Sequence, residues 1–141
     1  MHLIEKALKI TLNVHAGQKD KGNQPYILHP LRLMVKMDSD VTKAAALLHD
    51  VLEDSDMDSA DLARQGINSN IIEIVQLVTK KNDESYESYI DRISTNPLAT
   101  QIKIADLEDN MNILRLGNID QKDLSRLNKY LVAWKKLNHR E

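Results

Sequence analysis

Apolar residues recur at helical spacing from the first turn of the chain. Within 3–15, Leu3, Ala7, Ile10 and Val14 share a face among Glu5, Lys6 and Lys9, which predicts an amphipathic helix. The polar stretch 16–24, with Gly17 and Gly22, reads as a loop, and Pro25 and Pro30 punctuate the approach to a helix starting near Pro30. Residues 38–40 break that helix. The segment 41–52 is apolar on most sides, with Ala44, Ala45, Ala46, Leu47 and Leu48 in succession, and predicts a central, buried helix. Asp58 or Ser59 caps a short helix ending near Gly66, and Asn68 or Ser69 caps another over 70–79. In that one Ile71, Ile74, Val75 and Val78 share a face. A charged, solvated connection over 80–84 precedes a helix over 86–94. Asn96-Pro97 then opens a long helix over 98–116. Asp120 starts the last, whose Leu124, Leu127, Leu131 and Trp134 share a face and predict core. With no period-two strand and no internal repeat, the pattern predicts an all-α fold in a single domain over 1–141.

Composition removes several functions. Nineteen Lys and Arg against 21 Asp and Glu leave a net charge of -2, which argues against a nucleic-acid-binding module built on a basic stripe. Zero Cys excludes disulfides, thiolate zinc sites, iron–sulfur clusters and a thiol nucleophile. Phe is absent, so Leu, Ile, Val, Met and Ala must fill the core. No apolar run approaches the roughly 20 residues that cross a bilayer, and the first residues lack a secretory signal; a cytoplasmic protein is expected.

Polar residues inside apolar helices carry the chemistry, because a buried charge needs a partner. His29, His49, Asp50 and Asp106 are such residues. Two imidazoles and two carboxylates suit Mn²⁺, Fe²⁺, Ni²⁺ or Zn²⁺ better than Ca²⁺. Glu53 and Asp54 follow on or just past the end of the same helix, where they either act on a water or begin a solvated acidic loop. Lys103, Asp106 and Asn110 share a helix face. Lys103 either holds a phosphate or pairs with Asp106, and Asn110 either contacts a ligand or caps the helix. Glu108 and Asp109 are expected to face solvent. Tyr86 and Tyr89 either stack on a base or pack on the domain, packing being favoured; His15 is expected to be structural.

These residues sit in recognisable words: Gly17-Gln18, Pro25-Tyr26-Ile27-Leu28-His29-Pro30, Ala46-Leu47-Leu48-His49-Asp50-Val51-Leu52-Glu53-Asp54, Val78-Thr79-Lys80 and Lys103-Ile104-Ala105-Asp106-Leu107. They resemble the hydrolase domain of the RelA/SpoT-type alarmone enzymes and their small stand-alone bacterial relatives. Their order also resembles the H…HD…D signature of the HD metal-dependent phosphohydrolase superfamily. The resemblance runs over about 7–116, with a helix following over about 120–138. It implies an HD-type helical bundle in which His29, His49, Asp50 and Asp106 hold one divalent ion, commonly Mn²⁺, with Fe²⁺, Ni²⁺, Zn²⁺ or Mg²⁺ also compatible. It implies further that Glu53 and Asp54 act on the nucleophilic water. Lys21, Lys103, Asn110 and Arg115 would then contact a small phosphorylated nucleotide, foremost a guanosine polyphosphate losing its 3′ pyrophosphate. Nothing beyond Asp106 resembles the synthetase domain of those enzymes, so alarmone synthesis is not expected. No membrane or nucleic-acid partner is implied, and homodimerisation is left open.

Two departures bear on the substrate. Asp20-Lys21 stands where the alarmone hydrolases carry a basic pair, and Asn110-Met111-Asn112 lacks their Arg, although Arg115 lies one turn on. A phosphohydrolase of a different nucleotide is therefore one alternative. A non-catalytic nucleotide-binding HD module is the other, and the acidic pair Glu53-Asp54 speaks against it.

Overall fold

The structure is a computed structural model describing residues 1–139. Among these, eight α-helices occur: α1 (Leu3–His15), α2 (Leu28–Val35), α3 (Asp40–Leu48), α4 (Ser59–Arg64), α5 (Ser69–Leu77), α6 (Tyr86–Ser94), α7 (Pro97–Asn110) and α8 (Gln121–Leu137). A single antiparallel bridge, Lys19 with Pro25, closes the loop after α1, and no strand is present among the described residues. The expected all-α architecture is the one observed.

The alanine-rich α3 is the axis of the molecule. Ala44, Ala45, Ala46, Leu47 and Leu48 are all fully buried, and α1, α2, α5 and α7 pack around them. Alanine's lack of bulk lets neighbouring backbones come close on several sides at once. The Thr11 hydroxyl donates to the Leu47 carbonyl at 2.5 Å, tying α1 to the last turn of this axis. Enlarging Ala45 should therefore overpack the interior: Ala45→Leu is expected to destabilise by about 1–3 kcal/mol, read as a lower Tm in thermal denaturation.

Helix ends depart from the hydrophobic pattern where polar side chains compete for the backbone. The helix expected over 41–52 ends at Leu48, because His49 turns its Nδ1 onto the Ala46 carbonyl at 2.7 Å and the chain continues in turns to residue 54. The helix expected over 98–116 ends at Asn110, since the Asn112 side chain accepts from the Leu114 N–H and starts a separate 3₁₀ turn, Ile113–Arg115. The 80–84 connection is not simply solvated: Arg92 binds Glu84 at 2.8 Å and donates to the Leu77 and Thr79 carbonyls, clamping it to α6.

The buried stripe of α8 is also displaced from the expected one. Ala133 and Leu137 are buried, whereas Leu124 and Leu131 are 46% and 42% exposed and Trp134 is half-buried, its indole N–H donating to Glu108. The helix lies across α6 and α7 with Tyr130, Ala133 and Leu137 underneath, a face rotated from the leucine row. No helix among the described residues is long and apolar enough to cross a membrane.

Candidate metal centre and cleft

Three segments far apart in sequence meet at one point. His29 is the second residue of α2, His49 follows the end of α3, and Asp106 lies in the third turn of α7. Their ligand atoms all lie within 4.8 Å of one another, and all three residues are buried. The His29 and His49 Nε2 atoms are 3.1 Å apart, and Asp106 Oδ1 is 2.9 Å from the first and 3.4 Å from the second. Asp50 stands beside them, its Oδ2 at 3.0 Å from His49 Nε2 and 3.8 Å from His29 Nε2.

The far side of each ring decides what faces inward. His49 Nδ1 meets the Ala46 carbonyl, which can only accept, so that nitrogen carries the hydrogen. His29 Nδ1 lies 2.6 Å from Asp109 Oδ2. Arg32 grips the same carboxylate with two bonds, Nε to Oδ1 at 2.7 Å and Nη2 to Oδ2 at 2.9 Å. In their neutral forms both rings therefore turn a lone pair toward the carboxylate of Asp106. Electron pairs converging without a hydrogen between them call for a cation, and a set of two imidazoles with carboxylates fits a divalent transition ion. Holding the remote ring nitrogen on a carboxylate or carbonyl is how metal-binding histidines are oriented.

Electrostatics show how strongly the surrounding carboxylates draw positive charge to this point, as a proton on the rings or as a cation between them. Burial would lower the basicity of His29, yet its bonds to Asp106 and Asp109 leave it raised. For His49 burial is likewise outweighed, by Asp50 and Asp106. Burial opposes ionisation of Asp106, but Lys103 and the two rings hold it well below the ordinary carboxylate range. Asp50 is held at about 2, His49 overcoming its burial. Desolvation and the Asp50 charge push the Tyr26 hydroxyl far up, so it stays protonated and donates to Asp50 Oδ2.

Around this point lies a cleft of about 400 Å³ bordered by Tyr26, Asp50, Glu53, Asp54, Lys103 and Asn110, among others. Glu53 accepts the Lys80 backbone N–H at 2.8 Å. Desolvation, reinforced by Asp50, raises the carboxyls of both Glu53 and Asp54. Lys103 is buried with its ammonium 2.7 Å from Asp106 Oδ2, and Asn110 donates to Oδ1 at 3.1 Å; both also border the cleft. The ion-pair alternative for Lys103 is thus the contact seen. An adjoining cavity of about 270 Å³ shares Lys21, Tyr26, Asn110 and Tyr130 with the cleft and adds Arg115 and Arg126. Arg115 donates to Asp20 at 3.1 Å and to the Asp109 carbonyl at 2.7 Å. The other Asp20 oxygen accepts the Gly22 and Gln24 N–H groups, so this carboxylate organises its own loop. A methyl at Gly22 would sit 2.7 Å from the Arg115 carbonyl oxygen, which keeps that close approach for glycine.

A family model described as HD domain matches residues 7–107. The chain belongs to the HD domain family. Among relatives of this HD domain is the guanosine-3′,5′-bis(diphosphate) 3′-pyrophosphohydrolase of Aquifex aeolicus (strain VF5). It is 32% identical over 124 residues, covering 79% of this chain and 18% of that protein. A GTP pyrophosphokinase of Streptomyces coelicolor is 29% identical over 150 residues, 97% of this chain and 18% of the relative. The chain thus spans less than a fifth of these relatives. A solved structure described as a metazoan ortholog of SpoT that hydrolyzes ppGpp superposes with a TM-score of 0.80 at 20% identity, over 97% of this chain and 85% of that one. At that identity the likeness concerns the fold.

One residue of the HD domain is placed against expectation. Asp109 was expected in solvent, yet it is 5% exposed and bridges His29 and Arg32, while its neighbour Glu108 is exposed as expected. A faint signal was available, since Arg32 follows His29 by three residues as Asp109 follows Asp106. Two helices facing each other at one pair can therefore meet at the next. His15 is buried behind Tyr26, ring centroids 4.8 Å apart, with Nδ1 2.8 Å from Gln18 Oε1. Tyr89 is buried and donates to the Val78 carbonyl, and Tyr86 packs on the core with its ring 5.8 Å from that of Tyr89, the packing alternative; both also border the cleft.

Proposed function

We propose that this HD domain is a metal-dependent phosphohydrolase that removes the 3′ diphosphate of a guanosine polyphosphate as pyrophosphate. The observation that carries the reading is the convergence of two Nε2 lone pairs and a carboxylate oxygen at the floor of a cleft bordered by Glu53 and Asp54. The substrate named in the Aquifex relative supports its nucleotide part. His29, His49, Asp50 and Asp106 are the ligands, with Mn²⁺ the first choice. When bound, a divalent ion supplies Lewis-acid charge, lowering the pKa of water from 15.7 toward about 7 and offsetting phosphate charge.

The chain's own residues do the rest. Glu53, its proton affinity raised by desolvation, receives the proton of the attacking water, and Asp54 orients that water. The water oxygen bonds to phosphorus, the bond from phosphorus to the ribose 3′ oxygen breaks, and that oxygen leaves with a proton from solvent. Lys103 holds Asp106 ionised and in place, and Asn110 and Lys21 steady the substrate between cleft and adjoining cavity. Arg115 shapes that cavity through its bond to Asp20. This pairing favours a second reading, hydrolysis of a different phosphorylated nucleotide, because it draws Arg115 toward a carboxylate. One domain over 1–141, acting in the cytoplasm, completes the proposal.

Phosphate and pyrophosphate release from guanosine tetraphosphate and from plain nucleotides, at equal protein and Mn²⁺, tests both readings. Release of pyrophosphate from the alarmone alone is expected; turnover of none overturns the enzyme reading. Glu53→Gln is expected to lower turnover by about 10²–10⁴-fold while manganese content by elemental analysis stays unchanged.

A further inference from the structure

The wall of the cleft made by α6 and α8 carries, among the described residues, a lysine without a carboxylate partner beside a tyrosine hydroxyl without a hydrogen bond. The residues shared with the cavity, Lys21, Tyr26, Asn110 and Tyr130, mark the passage between the two; Lys80, Tyr86 and Lys129 border the cleft alone, as do Lys103 and the carboxylates around the metal centre. Lys129, on α8, has no carboxylate partner among the described residues. Its ammonium lies 4.6 Å from the Tyr86 ring centroid and 5.6 Å from that of Tyr130. Burial, followed by the like charges of Lys103, Arg126 and Lys80, lowers its pKa. The Tyr86 hydroxyl is buried and makes no hydrogen bond. An unpaired buried hydroxyl is costly, and the Lys129 ammonium beside it feels the like charges of its neighbours without a carboxylate to offset them. One ligand chemistry relieves both: a compact polyanion with several acceptor oxygens.

We infer that Tyr86 and Lys129 form a subsite for the terminal phosphate of the substrate's 3′ diphosphate. This rests on the hydrolase reading and adds a selection to it. With the attacked phosphorus at the metal centre and the nucleoside toward the adjoining cavity, the terminal phosphate extends to the wall made by α6 and α8. There it accepts from the Tyr86 hydroxyl and neutralises Lys129. A diphosphate ester fills this wall; a monophosphate ester leaves it unsatisfied. The composition of the wall thus selects pyrophosphate over phosphate as the group removed.

Inorganic pyrophosphate, titrated calorimetrically into wild type, Tyr86→Phe and Lys129→Met, tests the subsite without turnover. Lys129→Met is expected to weaken pyrophosphate binding about tenfold or more, and Tyr86→Phe about threefold or more. Tyr86→Phe should at the same time melt at an equal or higher temperature, since it removes an unsatisfied hydroxyl. That combination distinguishes ligand contact from a packing role. Pyrophosphate affinity within twofold of wild type in both variants, or no binding to wild type, overturns the inference. If no nucleotide is turned over but pyrophosphate binding still depends on both side chains, the hydrolase reading fails and the anion site stands.

Discussion

On the proposed function, Asp106→Asn is expected to reduce bound manganese to a small fraction of one ion per chain and to lower hydrolysis of the proposed nucleotide substrate by about 10³-fold or more. The reason is the geometry of one carboxylate. Asp106 Oδ1 faces both Nε2 atoms while Oδ2 is held by Lys103 at 2.7 Å. An amide removes the negative charge that draws a cation to the two lone pairs, and several kcal/mol of transition-state stabilisation go with the ion. It also leaves Lys103 buried beside a neutral group. Breaking such a buried pair costs about 3–5 kcal/mol. Manganese content should therefore be measured by elemental analysis on protein shown to be folded by circular dichroism. A folded variant that keeps one manganese per chain would remove Asp106 from the ligand set.

The second large effect is expected at a residue that touches no ion. Asp109→Asn should weaken manganese binding about 10–100-fold, the usual consequence of losing a carboxylate behind a metal-binding imidazole. Burial works against the Asp109 charge, but His29 and Arg32 hold the carboxyl far below its ordinary range, so it is fully ionised at neutral pH. That charge does two things. It keeps the hydrogen on His29 Nδ1, which turns the Nε2 lone pair inward, and it anchors α2 to α7 through Arg32. An asparagine keeps one acceptor and can point its amide the wrong way, leaving His29 free to change tautomer. Titration of manganese followed by electron paramagnetic resonance reads the affinity directly. Affinity equal to wild type would show that packing alone orients His29.

Much of the helical order was legible because the chain separates its apolar stripes with caps and prolines. Asn96-Pro97 does open α7, with the Asn96 side chain accepting from Leu98 and Ala99, and Asp120 does cap α8. The departures from the hydrophobic pattern have one physical origin. At 49, 112 and along α8 the hydrophobic pattern runs on, while a side chain takes a backbone carbonyl or N–H, or a neighbouring helix covers a different stripe. Hydropathy reports burial preference; it does not report which polar group captures which backbone atom.

From the sequence alone came the all-helical class, the buried character of the alanine-rich helix and the unusual placement of two histidines and two aspartates within or at the ends of apolar helices. Those are local properties, written in spacing and residue type. Tertiary structure alone decided that His29, His49 and Asp106 face one point, and that Asp109 lies behind them instead of in solvent. It alone set Asp20 to hold Arg115 and left, among the described residues, the Tyr86 hydroxyl without a hydrogen bond and Lys129 without a carboxylate in the cleft wall. Convergence depends on how helices cross, and crossing is set by contacts between residues far apart in sequence, such as His29 and Asp109, 80 positions apart.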